Sequence, residues 1–495
     1  MKKDFLTATD FYRLTKCPHW PYFERFATAA EKKLKRKMTD AEKKRLEDGL
    51  KHEAKVVRKL FKGVRAKKIR TTTHPEKDFQ TTLAAMREGV PLIYQGTLLH
   101  GDWTGRPDLL ERQEGASSFG AWHYVPVDVK SSHELQKYQK LQLTFYASLL
   151  ERVQGRFPAR PAILNSDGER MDFVAADMLR EFEETVVELE RIRAGERPDP
   201  VLRKDCFDTG PWGAACERLA TFQNDIALLY NVDVRKLRAL RGIGIRTLDD
   251  AAGMDPFALD GAAPGLRLHG LEVCKLQAQS LLHRRVFVRE PVVLPSRGLE
   301  IHFDIESDLP NDMDYLYGFL IREPAGDRYA SFVAESLGEE AGMWRRFLDW
   351  IGGLPEEFTV YHFGAFEKTR LGVMEKRHGG SPALERFRDA MIDLRTLTSS
   401  SVVFPIYFYG LKTIAPFLGF RWKGSVKGGS QSIDVYERFL KTRKRKLLDD
   451  IISYNEEDVR ATALLKDWLV AYAGKLAAYD PPFPWTTVYS PKPLP

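Results

Sequence analysis

The sequence predicts a multidomain α/β protein, and three observations predict it. At 495 residues the chain has the length of about three domains. Hydrophobic residues at 43% and charged residues at 29% describe an ordinary globular chain that can bury more than one core. Two stretches in which short apolar runs alternate with helical patterns are separated by a segment of helical character, so the expected domains are 1–200, 201–290 and 298–475, with a Pro-rich tail at 476–495.

Residues 40–63 (DAEKKRLEDGLKHEAKVVRKLFKG) space apolar and charged residues as an amphipathic helix does, with Gly63 as its stop. Three β-like runs follow, PLIYQGTLL, WTGRPDLLER and AWHYVPVDVKS, and EGASSFG at 114–120 reads as a hairpin turn. Helices are expected over 134–153 and 175–195, which gives a mixed α/β core. RKLRALRGIGIRTLDDAAGM then reads as two short helices around GIG, and VREPVVLPSRG at 288–298 as a linker. From Leu299 a second α/β pattern begins with three consecutive strands, LEIHFDIES, MDYLYGFLIRE and DRYASFVAES. A helix at 338–352, the strand FTVYHF and further helices complete it.

Lys and Arg number 76 against 69 Asp and Glu, a net charge of +7, which suits a polyanionic partner without proving one. No apolar run reaches the roughly 20 residues that cross a bilayer, and the N-terminus has no apolar core of a signal peptide, so a cytoplasmic protein with no membrane partner is expected. Reduced thiols follow from that compartment, and the four cysteines are not read as a disulfide framework.

The first chemical signal is VPVDVKSS. Asp128 and Lys130 stand two apart on a strand and share a face, so carboxylate and ammonium can address one reaction centre. Asp108, in GRPDLL, offers a second carboxylate, and one or two carboxylates with water are what Mg²⁺ or Mn²⁺ accepts. A lysine there can position water and steady charge on phosphorus. His52 precedes this set on a helix, and Gln142 and Tyr146 follow it one helical turn apart. The ordered set resembles the RecB-like branch of the PD-(D/E)xK nucleases over residues 1–200. The resemblance implies His52, Asp108 and Asp128 as metal ligands, with Gln142 and Tyr146 supporting Lys130 or the phosphate.

Iron–sulfur members of that branch carry one cysteine before the core and three after it. Cys17, Cys206 and Cys216 fall in register, but Thr209 stands where the fourth is expected, and Cys274 lies in an apolar helical stretch. Four thiolates hold such a cluster, so little iron is expected. In the middle region, Gly242 and Gly244 permit a tight turn whose N–H groups could face a phosphate between Arg241 and Arg246, a helix-hairpin-helix that grips the DNA backbone without reading sequence.

The second chemical signal is IHFDIES, where Asp304 and Glu306 share a strand face. Glu367 follows in YHFGAFEKTRL, and Tyr454 and Asp458 stand one helical turn apart in ISYNEEDV. Converging carboxylates can hold two metals about 3.5–4 Å apart, and a tyrosine hydroxyl can orient the attacking water. The set resembles the DEDD exonucleases of the RNase H-like superfamily whose last motif is Tyr-x-x-x-Asp, with Glu367 in place of the usual Asp of the second motif. Asp393 is a spare acidic candidate for which a capping or surface role is expected.

The domain order resembles a family of bacterial RecB-like nucleases, some of whose relatives are fused to, or encoded beside, superfamily 1 helicases. It implies a PD-(D/E)xK core, a helical middle and an RNase H-like mixed sheet, acting on single-stranded DNA or DNA ends in repair, recombination or defence. No Gly-x-x-x-x-Gly-Lys-Ser/Thr loop is present, so no ATP motor of that kind is expected. An exoribonuclease using only the C-terminal domain, and a non-catalytic nucleic-acid-binding adaptor for a helicase, are the competing expectations.

Overall fold

A computed structural model describes residues 4–60, 63–130, 134–165, 167–208, 210–295, 298–323, 326–473 and 487–489. The chain divides into two compact units, residues 1–222 and 223–495. The helical stretch expected over 201–290 is thereby split between them. Apart from a short strand, Thr487–Tyr489, the Pro-rich tail lies outside the described residues. No described helix is long and apolar enough to cross a membrane.

In the first unit the strands are β1 (Ala66–Lys68), β2 (Leu92–Tyr94), the two-stranded ribbon β3 (Leu98–His100) and β4 (Trp103–Gly105), β5 (Leu109–Ser117), β6 (Gly120–Val129), β7 (Ala162–Leu164) and β8 (Arg170–Asp172). The main sheet runs β1-β2-β5-β6-β7-β8, with β5 and β6 antiparallel and β6 and β7 parallel. β6 is buried on both faces, as a central strand must be. Val127 and Val129 pack with Val57 of helix Asp40–Leu60. On the other face Tyr124 joins Leu141, Phe145 and Leu149 of helix Lys137–Gln154. The period of two therefore turns Asp128 toward the helix that carries Tyr146.

The second unit holds β9 (Val286–Val288), β10 (Glu300–Asp308), β11 (Met313–Glu323), β12 (Gly326–Val333), β13 (Thr359–His362), β14 (Met391–Asp393) and β15 (Val402–Val403). Its five-stranded sheet has the order β12-β11-β10-β13-β14, antiparallel from β12 to β10 and parallel from β10 to β14. Ile301, Phe303 and Ile305 enter the core beneath helix Glu340–Gly352, where Phe303 stacks on Phe319 at 4.8 Å. The intervening Asp304 and Glu306 point the other way, toward helix Arg445–Trp468, from which Asn455 reaches Asp304. The segment 288–298, expected to be a linker, begins in β9, which pairs with β15.

The GIG turn joins helices Val234–Gly242 and Leu248–Gly253, with Gly244 at φ +90°. Its polar groups are spent internally, which corrects the phosphate-facing expectation. The N–H groups of Gly244 and Ile245 donate to Arg241 and Leu240 carbonyls at 3.1 and 3.0 Å. Those of Arg246 and Thr247 both donate to the Asp250 carboxylate, at 3.0 and 2.8 Å, so an internal anion already caps the second helix. Arg241 is corrected from a phosphate contact to a buried ion pair with Asp225 at 2.8 Å. Gly242 and Arg246 remain exposed.

Candidate functional site

In the first unit, Asp108 and Asp128 are locked to one another through the backbone. The Asp108 N–H donates to Asp128 Oδ1 at 3.2 Å, and the Val129 N–H donates to Asp108 Oδ2 at 2.8 Å. Lys130 Nζ stands between them, 3.5 Å from Asp108 Oδ2 and 3.2 Å from Asp128 Oδ2. Burial, then the charge of Asp128, lifts the Asp108 carboxyl to about 7, against the pull of Lys130. Burial opposes the charge on Lys130, but the two aspartates outweigh it and hold the ammonium above its ordinary range. The Lys130 ammonium is thus held between the two aspartates.

Tyr146 donates to the Arg106 carbonyl at 3.3 Å, and burial together with the charges of Asp128 and Asp108 raises its phenol. Gly105 makes room for it, because a Cβ there would lie 2.8 Å from the Tyr146 ring. Gln142 is placed elsewhere, donating to the Ala8 carbonyl at 2.9 Å, where it ties helix Ala8–Lys16 to helix 137–154. The side chain of His52 lies outside the described residues. Its neighbour Glu53 escaped the sequence reading. Glu53 accepts from Tyr94 and Gln95, each at 2.9 Å, and its charge adds to the upward pressure on Asp108. Its signal was adjacency to a candidate ligand on the helix facing the sheet.

In the second unit, Asp304, Glu306 and Asp458 offer carboxylate oxygens that all lie within 4.8 Å of one another. Burial pushes all three up; repulsion from neighbouring carboxylates adds to this at Asp304 and at Glu306, which reaches about 8, whereas Lys412, Trp422 and Tyr454 oppose it at Asp458. Such a nest could hold a metal ion. Glu367, at the start of helix Phe366–His378, stands beside the trio and its charge acts on Asp304. Burial raises Glu367, and His362, 3.4 Å away, opposes that. Tyr454 contributes its hydroxyl to Asp458, and burial followed by that carboxylate raises its phenol.

Two residues missed in the sequence complete this site. Lys412, at the start of helix Leu411–Phe417, pairs with Asp458 and sits 4.0 and 4.3 Å from the ring centres of Trp422 and Tyr454. A lone lysine before an apolar helix carries no signal in one dimension. Asn455, next to Tyr454, donates from Nδ2 to Asp304 at 2.7 Å and accepts from Tyr329 at 2.9 Å, which orients the amide. Asp393 caps helix Leu394–Ser401 and accepts from the Gly364 N–H at 2.8 Å, so it shapes the turn before Glu367.

Gly318 lies opposite Asp304 in the β10–β11 register, and a Cβ there would come 1.5 Å from Asn455 Oδ1. Gly318→Ala is expected to displace that amide and cost about 1–3 kcal/mol, measured by denaturant unfolding. Unchanged stability together with unchanged cleavage would contradict this role for Asn455.

Cys17, Cys206 and Cys216 are brought together in the first unit, whereas Cys274 is buried on helix Leu268–His283 of the second. The Cys17 and Cys216 sulfurs are 3.5 Å apart, and the Cys206 thiol acts on Cys17. Thr209 lies outside the described residues.

Comparison with family models finds the PD-(D/E)XK nuclease superfamily over residues 8–217 and the RNase_H superfamily over residues 301–470. Comparison with curated proteins finds no match. The chain carries one domain of each superfamily, and each match encloses one of the two carboxylate sets.

Proposed function

We propose that this chain, which joins a PD-(D/E)XK nuclease domain to an RNase H superfamily domain, is a divalent-metal-dependent DNA nuclease with two catalytic centres. The observation that carries the reading is that both domains gather buried carboxylates whose repulsion no described side chain fully relieves. Lys130 and Lys412 each pair with one of these sets, and a lysine ammonium marks the place a cation prefers. The carboxylate donors of both sets are oxygen, which suits Mg²⁺ or Mn²⁺, and His52 would add one nitrogen to the first.

In the first centre Asp108 and Asp128 hold the ion, with Glu53 and His52 as further candidates. In the second, Asp304, Glu306, Glu367 and Asp458 hold it. When bound, the ions activate water and neutralise the charge that develops on the phosphate. Lys130 then adds a fixed positive charge to the non-bridging oxygens. Tyr454 orients the attacking water from beside Asp458, and Asn455 holds Asp304 in its productive rotamer. Single strands and free ends are the proposed substrates, with exonuclease action at the second centre. A superfamily 1 helicase is the proposed partner.

Labelled linear DNA, 3′-blocked DNA, circular single strands and RNA, each incubated with Mg²⁺ or Mn²⁺ and then with chelator, test this reading. Metal-dependent loss of linear DNA, with slower loss of the 3′-blocked form, is expected. Degradation of RNA alone would replace it with the exoribonuclease reading, and binding without cleavage would replace it with the adaptor.

The carboxyl shifts also fix a pH dependence. Glu306 moves from 4.5 to about 8 and Asp108 from 3.8 to about 7 on folding. Both folded values lie above the unfolded ones, so the metal-free folded protein retains protons that the unfolded chain releases. Its stability is therefore highest below about pH 4 in these terms and is lost as pH rises toward about 8. Saturating Mn²⁺ favours the ionised forms and should flatten or reverse that slope. Melting temperature against pH, with chelator and with Mn²⁺, checks the sign.

A further inference from the structure

Three cysteines and one histidine gather where helix Ala8–Lys16 gives way to helix His19–Phe26, and neither nuclease centre uses them. Ligand atoms of Cys17, His19 and Cys216 lie within 4.8 Å of one another, all on buried residues. Cys206 is not in that 4.8 Å group but acts on Cys17 from the same buried cluster. We propose that Cys17, His19 and Cys216, with Cys206 closing on them as the fourth ligand, hold one zinc ion in a tetrahedral site of three sulfurs and one nitrogen, joining the first helices of the unit to its last.

Geometry separates this centre from the iron–sulfur cluster that the resemblance raises. In a cube-shaped cluster each thiolate binds its own iron, and the cluster stands between the sulfurs. Cys17 and Cys216 are too close for that, at 3.5 Å. Two sulfurs on one zinc, each about 2.3 Å from it, are separated by about 3.8 Å. The observed pair needs only a small outward movement to meet that edge. Three thiols and an imidazole are also an established tetrahedral set for zinc.

The imidazole is oriented for the task. His19 Nε2 lies 2.8 Å from the Pro198 carbonyl, which can only accept, so Nε2 carries the proton and Nδ1 carries the lone pair. A ligating histidine is commonly fixed in this way, through its second nitrogen. The backbone is shaped for it as well. Cβ atoms at Gly210 and Gly213 would lie 2.8 and 2.5 Å from the Cys206 carbonyl oxygen, so side-chain-free positions let helix Gly213–Phe222, with Cys216, close on Cys206. Trp212, stacked on Phe23 at 5.0 Å, and Ala215 pack in the same cluster and keep it dry.

The test starts from wild-type protein produced with zinc and iron both supplied, purified anaerobically and passed through a mild chelator that strips the carboxylate centres. About one zinc per chain with no sulfide is expected, released by a mercurial thiol reagent. Cobalt in its place should show thiolate charge transfer and intense tetrahedral ligand-field bands, which decides the matter without any variant. His19→Ala and Cys216→Ser should lose nearly all the zinc, and Cys274→Ser should keep it. Iron with matching sulfide, a Cys17–Cys216 disulfide in the anaerobic protein, or a protein that takes up neither zinc nor cobalt would each overturn the proposal.

Discussion

Asp304→Asn is expected to abolish cleavage at the second centre and, at the same time, to stabilise the metal-free protein. Asp304 is held far above the ordinary carboxylate range, first by burial and then by Glu306, Asp458 and Glu367. Without a cation its charge is therefore a cost to folding. The neutral amide removes that cost and can still accept the hydrogen bond from Asn455. A gain of about 1 kcal/mol is expected, as when strained functional sites are relaxed elsewhere. The catalytic loss should be about 10³-fold or more, because a ligand to ions that supply several kcal/mol of charge stabilisation is gone. Melting in chelator and cleavage in Mg²⁺ are read on the same preparation. A variant that melts lower than wild type, or one that in an Asp128→Asn background still cleaves as fast as Asp128→Asn alone, contradicts the account.

Lys130→Ala is expected to lower cleavage by the first centre about 10²–10³-fold, the scale set by removing one preorganised charge from a reacting phosphate. Its second effect is on the neighbours. Lys130 currently lowers Asp108, which otherwise rises through burial and Asp128, so the variant should need higher pH to bind metal. Lys130→Arg, which keeps the charge, should recover part of the rate and most of the metal affinity. The diagnostic is the pH profile of Mn²⁺ binding by titration calorimetry. A profile that is unmoved in Lys130→Ala would mean that the ammonium does not sit between the two aspartates.

Much of the framework is legible in the sequence because it is periodic. The alternation in VPVDV and IHFDI marks two central strands, and the i, i+2 pairs, Asp128 with Lys130 and Asp304 with Glu306, follow the pleat onto one face. What escaped is what depends on distant segments meeting. Glu53, Lys412 and Asn455 look like ordinary polar residues on helices, and the partners that reveal them, Tyr94, Asp458 and Asp304 in turn, come from more than 35 positions away. Gln142 sits one turn from Tyr146, yet a turn of helix spans two environments, and the amide meets Ala8 instead. Arg241 has the look of a phosphate contact in RGIGIR, and Asp225 sixteen positions earlier draws it inward. His19 is unremarkable in CPHW until the fold brings Cys216 to it.

The central claim is that two independent cation-holding centres sit on one chain. Cleavage of an end-labelled single-stranded DNA, with Mn²⁺ present, by wild type, Asp128→Asn, Asp304→Asn and the double variant tests it most directly. Each single variant is expected to keep one product pattern and lose the other, and the double variant to lose both while remaining folded. Full cleavage by the double variant, or complete loss in either single variant with its fold intact, would contradict the account.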